Sequence, residues 1–92
     1  MLKIKNVKQF KKDVKRFLHQ KQLLKDLEVV IKALANEETL DASYRDHPLI
    51  GNWVGYRECH VRGDLLLVYK IKKEENTLYL AVFGSHAEVL AL

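Results

Sequence analysis

Cysteine and proline each occur once in this sequence of 92 residues, and glycine occurs only four times. The single cysteine, Cys59, has no second cysteine to pair with, which excludes a disulfide-stapled fold and favours a reducing compartment. No apolar run approaches the roughly 20 residues that a membrane-spanning helix needs. The first ten residues also lack the apolar region of a signal peptide. We therefore predict a cytoplasmic protein without a membrane partner.

Low-complexity and disordered segments are also missing from the sequence. Apolar residues make up 48% of the chain and charged residues 30%, which is typical of a globular protein. A chain of this length has room for one modest core and not for two. We predict a single domain over residues 1–92.

Negative charge is scarce in the first quarter of the chain, where Asp13 is the only acidic residue. The basic residues of that quarter are Lys3, Lys5, Lys8, Lys11, Lys12, Lys15, Arg16 and Lys21. Such a stripe attracts phosphate groups or an acidic partner. A solvated helix face with excess lysine explains the charge equally well. We take Lys11 and Lys15 as candidate substrate contacts.

The spacing of apolar residues changes from a helical to a strand period near residue 50. Before it, Leu2 and Ile4 predict a short strand, and Asn6 is a candidate cap for the helix that follows. Two amphipathic helices then meet at a break at His19-Gln20. Their apolar stripes are Val7, Phe10, Val14, Phe17 and Leu18, and then Leu23, Leu27, Val30, Ile31 and Leu34.

Residues 36–52 carry no convincing period, and a segment of this kind is usually functional or mobile in a small domain. After it, residues 54–60, 64–72 and 77–83 predict three strands. Gly84-Ser85 then ends the last strand and leaves a short tail. The order β-α-α-β-β-β predicts an α/β (α+β) fold, in which both helices pack on one face of a mostly antiparallel sheet.

Three of the four histidines lie at the edges of predicted loops or strands in the second half of the chain. They are His47, His60 and His86. His19 ends the first helix, where a favourable interaction with the helix dipole explains it without a function. The histidine spacings match no compact zinc signature. We therefore predict neither a metal site nor a cofactor.

The first hairpin places a carboxylate near one of these histidines. Gly63 fits the left-handed position that closes a three-residue loop. In that register His60 lies directly across from Asp64, which could then fix the tautomer of a proton-transferring imidazole. An exposed cross-strand pair with a slight stabilising effect is the alternative.

RNA cleavage would use these side chains together. The RNA 2′-hydroxyl is a built-in nucleophile, so a ribonuclease needs only a base, an acid and cations for the phosphate. Histidines can supply the first two, and Arg57 or the lysines can supply the third. Trp53 and Tyr56 could stack on unpaired bases, although both could equally belong to the core.

The segment "DHPLIGNWVGYRECHVRGDLLLVYKI", followed by "GSHAEVL", resembles the YafQ group of RelE-like toxins from bacterial type II toxin–antitoxin systems. That group has a D-H-x-L-x-G-x-W segment, a G-Y/F-R-D/E-x-H strand, an aspartate, an L-x-Y strand and a final G-S/T-H. The resemblance covers the whole chain and implies a RelE-like fold. It also implies an endoribonuclease that enters the ribosomal A site and cuts messenger RNA, leaving a 2′,3′-cyclic phosphate and a 5′-hydroxyl.

The resemblance also implies roles for individual residues and for partners. Its catalytic positions fall on His47, His60, Asp64 and His86. Trp53 and Arg57 fall on matching motif positions, as substrate contacts or support. Leu90 stands where the family often has an aromatic residue, so a stacking contact there would be lost or moved. The implied partners are a cognate antitoxin, the ribosome and messenger RNA, with operator DNA bound only through the antitoxin.

A non-catalytic protein of the same fold, which binds RNA or another protein through its basic face, is the alternative. ParE-like relatives poison gyrase without cutting RNA, but they generally lack this set of histidines. The set therefore favours the ribonuclease branch.

Overall fold

The computed structural model describes residues 1–90, with only the backbone described for Leu90. Three helices and five strands follow one another as β1 (Lys3–Asn6), α1 (Lys8–Lys15), α2 (Lys21–Ala35), β2 (His47–Pro48), β3 (Arg57–Arg62), β4 (Leu65–Lys72), β5 (Thr77–Ser85) and α3 (His86–Leu90). Within this described part, none of the helices has the length and apolarity needed to cross a bilayer.

The strands form one sheet in the order β1-β5-β4-β3-β2. Strands β2 to β5 pair with their neighbours in antiparallel fashion, which confirms the mostly antiparallel sheet. Strand β1 instead pairs with β5 in parallel, because the two helices between β1 and the rest of the sheet provide the long crossover that a parallel pair requires.

Both long helices pack on one face of the sheet, as predicted, because side chains alternate between the two faces of a strand. Along β4, Leu67 and Tyr69 face the helices and join Phe10 and Leu27 in the main core. The opposite face has a smaller core. Its buried residues are Leu66, Val68, Ala81, Val82 and Val89, and Leu49, Trp53 and Tyr56 pack against them.

Several element boundaries differ from the predicted ones. Helix α1 ends at Lys15, so Leu18 is 60% exposed, and Phe17 instead packs edge-on against Phe83 from the turn. The predicted cap Asn6 is wrong, because the N-cap position is Val7, which makes no side-chain hydrogen bond. The segment 36–52 contains the short strand β2 and two 3-10 turns, at Ala42–Tyr44 and at Gly51–Trp53.

The last strand and the tail also differ from the prediction. Strand β5 continues through Ser85, and the residues after it form the short helix α3. This helix covers the smaller core through Val89. The tail is therefore part of the fold as far as residue 90.

A buried carboxylate joins α1 to the sheet. Asp13 is only 4% exposed. Its Oδ2 accepts the backbone N–H of Phe83 on β5 at 2.9 Å, and its Oδ1 accepts the side-chain amide of Gln9 at 2.9 Å. The Arg16 guanidinium lies 4.0 Å from the same carboxylate. A buried charge needs such partners, so Asp13 sets the position of α1 relative to the end of β5.

We predict that Asp13→Ala lowers the free energy of unfolding by about 1–3 kcal/mol, because the variant leaves the buried N–H of Phe83 without its acceptor. Urea denaturation measures the change. Glu28→Ala is the matched control, since Glu28 makes only an exposed ion pair with Lys32 and should cost no more than about 0.5 kcal/mol. Equal losses in the two variants would contradict the role of Asp13.

Candidate active site

Strand register brings His60 and His86 to one end of the sheet. His60 pairs with Leu66 across β3 and β4, and Leu66 pairs with Gly84 across β4 and β5. Neighbouring strands are about 4.8 Å apart, so His60 lies about 10 Å from Gly84 at the backbone. His86 follows Gly84 by two residues at the start of α3. His60 and His86 therefore flank the same end of the sheet.

His47 lies on the edge strand β2, where it pairs with Glu58 of β3, two residues before His60. Its Nε2 lies 3.5 Å from Oε1 of Glu58, and its Nδ1 lies 3.2 Å from the carbonyl oxygen of Pro48. Glu58 is buried, at 4% exposure, and it shares a strand face with His60 because the two residues are two positions apart. Each ring nitrogen of His47 thus faces an oxygen atom that can accept a hydrogen bond, so the ring is held on both sides.

The predicted cross-strand pair of His60 and Asp64 is wrong. A β-bulge between His60 and Arg62 shifts the register, so that His60 faces Leu66 and Arg62 faces Leu65. Asp64 lies in the turn between β3 and β4. Gly63 has the left-handed conformation predicted for it, with φ +57°, but the turn that it helps to form has two residues rather than three.

His60 and Asp64 nevertheless line the same surface cavity, of about 690 Å³. The 3-10 turn at Ala42–Tyr44 and the N-terminal half of α2 form its other walls, and Arg45 lies at its edge. Within residues 1–90, the ring of His60 and the guanidinium of Arg45 have no ion-pair partner. The cavity therefore combines an imidazole, a carboxylate and a cation that are open to a ligand.

The G-S-H segment is held by a capping box at the start of α3. Ser85 donates its backbone N–H to Oε1 of Glu88 at 2.9 Å, and Glu88 donates its backbone N–H to Oγ of Ser85 at 3.2 Å. Arg16 pairs with the other carboxylate oxygen of Glu88. A Cβ at Gly84 would lie 3.1 Å from Oε1 of Glu88, so a side chain there would crowd the box. These contacts fix the backbone from which the exposed His86 projects.

Arg57 and Trp53, the two predicted substrate contacts from the motif, have structural contacts in this fold. Arg57 donates from Nε to Oδ1 of Asp46 at 3.2 Å, and the Tyr69 hydroxyl donates to the same oxygen at 2.7 Å. This cluster lies on the helix side of the sheet and holds the residue before His47. Trp53 packs edge-on against Tyr56, with 5.1 Å between ring centroids, and remains partly exposed.

The remaining predicted residues occupy several settings. Lys11 and Lys15 are exposed on α1, and Lys15 lies beside Arg16, which contacts α3. Cys59 is fully buried, and burial raises the pKa of its thiol to about 12, as in a core residue. The side chain of Leu90 lies outside the described residues.

Sequence reasoning missed Glu58, Glu88 and Arg45. The period of a strand places Glu58 on the same face as His60, so this carboxylate was detectable two residues before the histidine. The S-x-x-E spacing of the capping box likewise signals Glu88. Arg45 has no such signal, because its place in the wall of the His60 cavity depends on a turn with φ +50° in a segment without a period.

We predict that the contribution of Glu88 to stability depends on pH. Hydrogen bonding by the Ser85 backbone, followed by its hydroxyl and by Arg16, holds the pKa of Glu88 below its usual value. Because the folded-state pKa is below the unfolded one, this contribution is present at neutral pH and is lost as the pH falls through the folded pKa. Glu88→Gln keeps the capping acceptor but lacks the charge. Its deficit in free energy of unfolding should therefore shrink as the pH falls below about 4.3, the usual pKa of a glutamate, and disappear once Glu88 is protonated in the folded state as well.

Urea denaturation of both proteins between about pH 7 and about pH 3 measures this deficit. A deficit that stays constant over the whole range would show that the charge of Glu88 does not stabilise the fold.

Comparison with known proteins identifies relatives along nearly the whole chain. Residues 2–91 match the family model described as a bacterial toxin of type II toxin-antitoxin system, YafQ. The mRNA interferase toxin YafQ of Escherichia coli K12 is 37% identical over 82 residues, which cover 83% of this chain and 89% of that relative.

Solved structures agree with this family match. A metal-bound toxin from Helicobacter pylori is 49% identical with a TM-score of 0.89, over 97% of this chain and 99% of that one. A chain of the Escherichia coli DinJ-YafQ complex is 34% identical with a TM-score of 0.83, and the match covers 97% of this chain and 98% of that one. The predicted resemblance is confirmed: this chain belongs to the YafQ family of bacterial type II toxin–antitoxin toxins.

Proposed function

We propose that this chain is an mRNA interferase, an endoribonuclease that cleaves messenger RNA on the ribosome by histidine acid–base catalysis. The observation that carries the proposal is the placement of His60 and His86 at one end of the sheet, with His47 held on the neighbouring strand opposite Glu58. The family match and the name of the Escherichia coli relative support the same reaction class. With the RNA 2′-hydroxyl as nucleophile, the protein has only to move protons and bind the phosphate.

His60 is the general base of the proposed reaction. Its ring lines the cavity and makes no ion pair within the described part of the chain, so a nitrogen is open to take the proton of the 2′-hydroxyl. Asp64, at the edge of the same cavity, then stabilises the charged imidazole. Arg45 neutralises the phosphate, because charge develops there in the transition state.

His86 is the general acid that protonates the leaving 5′-oxygen. It is exposed, and the capping box fixes its backbone without occupying its ring. An acid of this kind must carry its proton while the base is neutral, so the cleavage rate should rise and fall across neutral pH.

His47 and Glu58 form a second, fixed imidazole–carboxylate pair. Because both nitrogens of His47 face acceptors, its charged form can lie beside the substrate phosphate as a stabilising cation. Glu58 is a positioning residue, which acts through His47. Arg57 also positions His47, through Asp46, while Trp53, Lys11 and Lys15 contact the RNA.

The proposed partners are a cognate antitoxin, the ribosome and messenger RNA, with the cytoplasm as the site of action. The DinJ-YafQ complex of the structural neighbour supports an antitoxin partner. We propose that an acidic or amphipathic antitoxin segment covers the stripe of basic residues in the first quarter of the chain, since complementary charge speeds association. Operator DNA would be bound only through the antitoxin and not by this chain. Salt-insensitive binding, or none, between this chain and the product of the neighbouring gene would refute this partner.

We predict that His60→Ala and His86→Ala each lower the rate of messenger cleavage on translating ribosomes by about 10²–10⁴-fold, the usual value of a general acid or base. Ribosome binding should change far less, because it rests on many cations rather than on one imidazole. Mapping of new RNA ends measures cleavage, and co-sedimentation measures binding.

His19→Ala is the matched control, since His19 lies in the turn between the two long helices and should keep the wild-type rate. Glu58→Gln should lower the rate and change its pH profile, whereas a merely structural role would leave the profile unchanged. Wild-type cleavage by the His60 and His86 variants would refute the proposal and favour a non-catalytic binding protein.

A further inference from the structure

Alternating tyrosine and lysine residues cross the sheet on the face that also carries His60. Lys70 of β4 pairs with Tyr79 of β5, and Tyr79 pairs with Lys5 of β1. Tyr56 directly precedes β3 and extends this series by one residue. Nζ of Lys70 lies 5.2 Å from the centroid of the Tyr56 ring. We call Tyr56, Lys70, Tyr79 and Lys5 the tyrosine–lysine row. At about 4.8 Å per strand it is about 14 Å long.

Cations hold the Tyr79 ring in place. Nζ of Lys5 and Nζ of Lys72 each lie 5.9 Å from its centroid, within the range of a cation–π contact. The Tyr79 hydroxyl donates to Glu75, whose other carboxylate oxygen lies 3.7 Å from Nζ of Lys72. The ring is therefore fixed on the surface while its environment stays partly open to solvent.

The surface of the row keeps a net positive charge. Glu75 pairs with Lys72 and interacts at longer range with Lys5. Within the described range 1–90, however, neither Lys5 nor Lys70 makes an ion pair, so the three lysines outnumber the one carboxylate. Lys3 lies on the same face as Lys5, two residues earlier on β1, and is likewise exposed and without an ion pair. A ligand with regularly spaced negative charges is favoured here.

We propose that the tyrosine–lysine row binds single-stranded RNA, as a holding site for the messenger strand outside the cleavage centre. The inference rests on the proposed function. Aromatic rings stack on unpaired bases, while lysines contact the phosphates between them. A row that alternates the two suits a polymer that alternates bases and phosphates. An acidic protein segment would use the lysines but would have no comparable use for the rings.

The position of the row fits a strand that continues into the active site. Lys70 and Leu66 lie on one face of β4, four residues and thus about 13 Å apart, and Leu66 pairs with His60. The partly exposed Trp53, in contact with Tyr56, lies beside the row. The row therefore binds nucleotides that flank the cleaved bond and takes no part in the chemistry.

The test measures binding of a short single-stranded oligoribonucleotide with 2′-O-methyl groups, which has no free 2′-hydroxyl and cannot be cleaved. Fluorescence anisotropy at several salt concentrations gives the affinity and its salt slope. The double variant Lys5→Gln/Lys70→Gln should bind more weakly, and its slope should fall by about 0.7 for each lost phosphate contact. Tyr79→Leu should weaken binding about fivefold or more, and Tyr79→Phe should restore it because the ring remains.

The matched control is Lys25→Gln/Lys32→Gln, which removes the same charge from exposed positions on α2, on the other side of the sheet. An affinity and slope of the row variant equal to those of this control would overturn the proposal. Loss of antitoxin binding with unchanged RNA binding would also overturn it and would assign the row to the antitoxin. Because the probe cannot be cleaved, failure of wild-type protein to cut messenger on ribosomes would refute the proposed function separately.

Discussion

Strand β4 is antiparallel to both of its neighbours, and the rest of the site depends on this constraint. Since β3 and β5 then run in the same direction, their C-terminal ends lie at the same end of the sheet, on either side of β4. His60 lies near the end of β3, and His86 follows the end of β5. Ladder hydrogen bonds along the whole length of β4 therefore fix the separation of the two histidines. A flexible loop could not hold that separation.

The layers on either side of the sheet support this end of the sheet in different ways. On the helix side, Asp13 of α1 contacts Phe83, and Arg16, the residue that follows α1, contacts Glu88. The C-terminal part of this helix therefore fixes both the end of β5 and the start of α3. On the other side, the smaller core that includes Val89 and contacts Trp53 covers only part of the sheet. The rest of that face carries exposed charged residues such as Lys5. In the proposed function, the helix layer positions the catalytic groups and presents Lys11 and Lys15 to the RNA, and the opposite layer carries the tyrosine–lysine row.

The fold was largely predictable from the sequence, because apolar periods report which face of an element is buried. The two helices, the three long strands and the packing of both helices on one face all followed from that pattern. The parallel pairing of β1 with β5 did not follow, since it joins Ile4 to Leu78 and no local period encodes such a distant contact. The shortening of α1 likewise depends on the tertiary contact of Phe17 with Phe83.

The site was predictable as a set of residue types but not as a geometry. The family resemblance supplied His47, His60, Asp64 and His86 as candidates, and their catalytic roles remain proposals. The bulge after His60 displaces Asp64 from the cross-strand position, and no residue pattern in the hairpin signals it. The Asp46–Arg57–Tyr69 cluster joins three separate segments, so its role in holding β2 could be recognised only from the structure.

In the proposed mechanism, the RNA supplies the nucleophile and the protein supplies only proton transfer and charge. A messenger with a single 2′-deoxy nucleotide on the 5′ side of the cleaved bond tests this claim most directly, on ribosomes programmed with that message. The mechanism predicts that wild-type protein binds these ribosomes normally, leaves the modified bond intact and cuts the unmodified message to a 2′,3′-cyclic phosphate and a 5′-hydroxyl. Cleavage of the deoxy-substituted bond at the normal rate would contradict it.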